Sequence, residues 1–146
     1  MLKKEPPAPA APVAPPAPPP DKGDRAVQIL ALLQRDGRLI DFLMEDLTPY
    51  QDAQIGAAVR DVHGGSRQAL QRYFTLEPVL DDEEGRPISV ERGTDPARLK
   101  VTGNAATAPP LRGTLRHRGW EATRVDLPPL PSSGRTIVAP AEVEVS

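Results

Sequence analysis

The chain has 146 residues, a formal net charge of −2 and no cysteine, which leaves room for one domain and excludes disulfides, thiolate metal sites and a cysteine nucleophile. Its 18 basic and 20 acidic residues are spread evenly, without the strongly basic region through which a nucleic-acid binder neutralises phosphates. Nineteen prolines and an aromatic content of 3 % call for short strands and an aliphatic core.

The first residues, Met1 to Glu5, carry two lysines, as a signal peptide would. Prolines then follow every second or third residue, where a signal peptide needs an apolar helix. The longest aliphatic run, Ile29–Leu33, is far too short to span a bilayer. A soluble, cytoplasmic protein without a membrane partner is the expectation. Residues 6–20 are nearly all Pro and Ala, a composition that favours polyproline II and predicts a disordered, proline-rich tail over residues 1–23. It reads as a spacer; the other reading is a docking peptide, since Pro15-Pro16-Ala17-Pro18 fits P-x-x-P.

Residues 24–146 read as a single domain, helical over 24–75 and β-rich over 76–146. Ala26, Ile29, Leu30 and Leu33 recur at helical spacing from Asp24 to a stop at Gly37, with Val27 and Leu32 widening the stripe. A second short helix, Arg38 to about Asp46, is predicted to bury Leu39, Phe42, Leu43 and Met44. Thr48-Pro49-Tyr50-Gln51 carries the signals of a third start: a capping hydroxyl, a proline for the first helical position, and a glutamine three residues on. Gly64-Gly65 would break that helix by propensity. The apolar stripe nevertheless runs through the pair in one phase, from Ile55, Val59 and Val62 to Ser66, Ala69 or Leu70, and Tyr73. One long helix to about Phe74 is predicted, its glycines letting another element pack close.

From Leu76 the period changes to two. Strands are predicted at Leu76–Leu80, Pro87–Glu91 and Leu99–Thr102, with edge strands at Thr136–Val138 and Glu142–Val145. After Pro109-Pro110, Leu111–Leu127 reads as a hairpin folding at Arg118-Gly119, with Arg116 opposite Glu121 and Thr114 opposite Thr123. Helices first and strands after give an α+β class: two short helices and one long, then a small antiparallel β-sheet or open barrel.

No catalytic residue, metal site or cofactor is assigned. His63-Gly64-Gly65-Ser66 is like an esterase oxyanion loop, but Gly64-Gly65-Ser66-Arg67-Gln68 lacks the last glycine of a nucleophile elbow. Asp81–Glu84 lacks the alternating ligands of a calcium loop and reads as a solvated turn. Neither glycine-rich nucleotide motif is present. The candidate ligand-binding residues are Arg112, Arg116 and Arg118, predicted to project from one face of a strand, with His117 and Trp120 beside them. They read either as a solubilising charged face or as a strip for an anion or acidic partner.

Two stretches carry a resemblance: Arg38–Asp41 through Ala53-Gln54-Ile55-Gly56-Ala57-Ala58-Val59-Arg60-Asp61-Val62-His63, and Leu99–Asn104 with Gly113-Thr114-Leu115-Arg116-His117-Arg118-Gly119-Trp120. They resemble a bacterial domain-of-unknown-function family, number 2760, over about residues 25–145. The resemblance brings no catalytic residues and implies an accessory role, with an Hsp70-type chaperone as the partner. The function expected is a non-enzymatic protein-interaction module. The alternative is a small hydrolase or anion-binding enzyme using the Arg112–Trp120 hairpin, with His117, Arg116 and a carboxylate such as Asp126 or Glu121.

Overall fold

A computed structural model describes residues 16–103 and 110–146. Most of the Pro/Ala tail, residues 1–15, and Asn104–Pro109 before the expected hairpin lie outside the described residues. Three helices, α1 (Asp24–Gly37), α2 (Leu39–Met44) and α3 (Asp52–Tyr73), precede four strands: β1 (Phe74–Glu77), β2 (Pro87–Val90), β3 (Leu111–Thr114) and β4 (Glu121–Val125). The class is α+β. The strands form two separate two-stranded antiparallel sheets, β1 with β4 and β2 with β3, and neither closes.

α3 runs unbroken through Gly64-Gly65, and the reason is its packing on α1. A Cβ on Gly65 would strike the Asp36 carbonyl oxygen and lie 2.8 Å from Gly37 Cα; a Cβ on Gly37 would lie 2.6 Å from the Ser66 nitrogen. The backbones meet where neither helix can carry a side chain. Because Gly37 is committed to this contact, the left-handed residue that ends α1 falls one position later. Arg38 adopts φ 53°, ψ 32°, and its N–H caps the Gln34 carbonyl at 2.9 Å, a position glycine usually takes.

The buried face of α1 differs from the expected stripe. It is centred on Gln28 and Leu32, while Leu30 is 42 % exposed. Gln28 is drawn inward because its Nε2 donates to the Pro128 carbonyl at 2.7 Å, with Arg25 Nη1 reaching the same oxygen at 3.0 Å. α2 is shorter than predicted and buries none of its residues, leaving Leu43 and Met44 exposed; six residues do not give it a full apolar face. α3 begins at Asp52, where the Gln54 side chain accepts the Gln51 N–H. Thr48 instead bonds Asp46 through both hydroxyl and N–H.

The predicted hairpin is replaced by two nested pairs. Pro87, Ile88, Ser89 and Val90 face Thr114, Gly113, Arg112 and Leu111, and β1 faces β4 through Phe74↔Val125 and Leu76↔Ala122 with a bulge between. Arg116 and Thr114 therefore do not face Glu121 and Thr123. The turn at Arg118-Gly119 is used otherwise. Gly119, at φ 75°, sits so close to Val79 that a Cβ would lie 2.9 Å from its Cγ2. The Leu80 N–H donates to the Arg118 carbonyl. The segment is thus tied to residues 79–80 and cannot fold back on β3. Leu99–Thr102, Thr136–Val138 and Glu142–Val145 form no strand. Among the described residues the buried apolar side chains are Leu32, Ala69 and Leu115. No described helix is long and apolar enough to cross a membrane.

Candidate anion-binding site

Leu115 places the site. Its side chain is buried, its N–H donates to the Arg86 carbonyl and its carbonyl accepts the Gly85 N–H, each at 2.8 Å. This anchor turns the chain after β3 so that residues 116–119 face the connection from β2, residues 96–102, across a cleft of about 420 Å³. Ile88, Val90 and Leu99 give it apolar walls. Its basic side chains are Arg98, Lys100, Arg116, His117 and Arg118, and among the described residues no carboxylate lines it.

These side chains are not equivalent. Arg98 holds Glu121 through two bonds of 3.1 and 3.3 Å, which keeps the Glu121 carboxyl below its ordinary range. Arg118 is a strut: Nε donates to the Leu80 carbonyl at 3.2 Å and Nη2 to that of Asp81 at 3.0 Å. His117 Nδ1 accepts the Gly119 N–H at 3.2 Å, so the Nε2 edge is left for a ligand. Lys100 and Arg116 are exposed, with no ion pair among the described residues. Lys100, Arg116 and His117 are therefore the groups able to meet an incoming anion.

The expected strip of alternating arginines is corrected. β3 stops at Thr114, so only Arg112 stands on a strand, and it does not line the cleft. Trp120 is 67 % exposed and also lies outside the lining. The expected Arg116–Glu121 neutralisation fails because Arg98 takes Glu121. Lys100 was missed by sequence reasoning, since it is 16 positions from Arg116 and only the path of residues 96–102 brings both to one cleft. Asp126 pairs with Arg124 at 3.5 Å, so neither carboxylate considered for catalysis lies beside His117 in the cleft. Ser66, in the middle of α3, has its hydroxyl buried without a partner among the described residues, while His63 is exposed.

Fold and site define a small helix-first α+β module with a cationic cleft. The chain belongs to the family described as a domain of unknown function, DUF2760, whose model matches residues 22–144. No curated protein and no solved structure matches it.

Proposed function

We propose that this chain is a non-enzymatic interaction module whose cleft grips an acidic segment of a protein partner. The observation that carries the reading is the meeting of Lys100, Arg116 and His117 on one concave, carboxylate-free surface with apolar walls. Charge-assisted bonds there would fix carboxylates, and Ile88, Val90 and Leu99 would take the apolar side chains between them. An Hsp70-type ATPase is the partner that the family resemblance implies.

The test is calorimetric titration of the full chain with a peptide of alternating Glu and Val, with inorganic phosphate in parallel. The peptide is expected to bind and to weaken as salt rises. Lys100→Glu combined with Arg116→Glu should reduce affinity by about tenfold or more. Unchanged affinity in that variant would overturn the reading. Tighter binding of phosphate than of peptide would favour the anion-binding enzyme instead. The Hsp70-type protein, used as a second titrant, tests the partner separately.

A further inference from the structure

We propose that a second copy of this chain lays its residues 141–145, Ala-Glu-Val-Glu-Val, along the free edge of β3. The antiparallel ladder shows which edge is open. Leu115 bonds Arg86, and the register steps from there to Ile88↔Gly113 and Val90↔Leu111, so the alternation turns the backbone groups of Arg112 and Thr114 away from β2. Among the described residues nothing bonds those groups. The opposite edge, on β2, carries Pro87, which has no N–H to offer and blunts that side. β3 has no such protection.

The donor strand has the matching character. Residues 141–145 hold neither helix, turn nor bend, and Val143 and Val145 are 84 % and 89 % exposed. Two-residue alternation puts Glu142 and Glu144 on one face and the valines on the other. Docked antiparallel, Glu144 would stand opposite Arg112 and Glu142 opposite Thr114, on the side toward Arg116; both arginines are exposed. The valines would fall beside Leu111 and Gly113, and a Cβ built on Gly113 meets nothing within 4 Å, which leaves room for a branched side chain. Main-chain bonds supply affinity and the alternate side chains supply the register. Each copy both gives and receives a strand, so the exchange closes as a two-fold dimer. Arg116 is common to this edge and to the cleft, whereas Arg112 does not line the cleft, so Arg112→Glu alone tests the strand exchange with the cleft's cations intact.

Sedimentation equilibrium of the full chain at low salt tests it, with circular dichroism to confirm folding. A monomer–dimer equilibrium is expected. Glu142→Lys with Glu144→Lys should weaken self-association by about tenfold or more, and so should Arg112→Glu with Arg116→Glu, because like charges then face each other across the strands. Mixed together, the two variants should dimerise again, since both strand–edge pairs become complementary. Glu144→Pro, which removes the backbone donor that would face the Arg112 carbonyl, should give monomer. A wild-type chain that stays monomeric, or variants that do not pair on mixing, would overturn the proposal.

Discussion

Arg35 stands between two acids of very different strength. Its guanidinium bonds Asp36 at 2.8 Å and the Tyr73 hydroxyl at 2.8 Å, and Arg72 lies 6.0 Å from the Tyr73 ring centre. The bond from Arg35 favours the phenolate and holds Tyr73 below its ordinary value. The chain's other tyrosine, Tyr50, donates to the Glu45 carboxylate, which favours the phenol and pushes it up. The two tyrosines should therefore ionise in separate steps on raising the pH, Tyr73 first. Phenolate absorbance of Tyr50→Phe and Tyr73→Phe variants assigns each step. Arg35→Gln should move the earlier step upward and leave the later one alone.

At the scale of the element, two adjacent glycines should answer substitution with opposite sign. Gly65→Ala drives a methyl into the Asp36 carbonyl and is expected to cost about 2 kcal/mol or more. At Gly64 nothing lies within 4 Å of an added Cβ, so Gly64→Ala is expected to stabilise by about 0.8 kcal/mol through helix propensity. Urea midpoints of the two variants, falling and rising, check this. The continuity of α3 was legible from the sequence because its apolar phase never breaks. The face of α1 was not, since an inward glutamine is explained only by a carbonyl 100 residues away. The sheet partners were not legible either. Leu111–Thr114 and Glu121–Val125 look self-complementary, and only the Gly119–Val79 contact shows why they part. Of the candidate site, Arg116 and His117 stand at the cleft. Arg118 was legible as a cation, but its structural use depends on the carbonyls of Leu80 and Asp81.

For the whole molecule, a small core makes polar ties between distant segments matter more. Arg135 is the chief of these. It pairs with Asp24 at 3.2 Å, both side chains being only 11–12 % exposed, and bonds the carbonyls of Pro131 at 2.7 Å and Pro19 at 3.2 Å. With Gln28 on Pro128, it fastens the segment after β4 to α1. Arg135→Ala would leave Asp24 buried without its cation and is expected to cost about 2 kcal/mol. Asp24→Leu with Arg135→Leu should recover part of that loss, as chemical denaturation of both variants would show.

The nesting of the sheets bears on the order in which the chain assembles. β1 and β4 enclose residues 78–120, and β2 pairs with β3 inside that span. Zipping the inner pair first shortens the loop whose closure entropy opposes the outer pair. The connection within the inner pair, residues 91–110, then sets the slow step. Lengthening it would slow folding while leaving the unfolding rate nearly untouched, because the loop is closed in the transition state as it is in the native state.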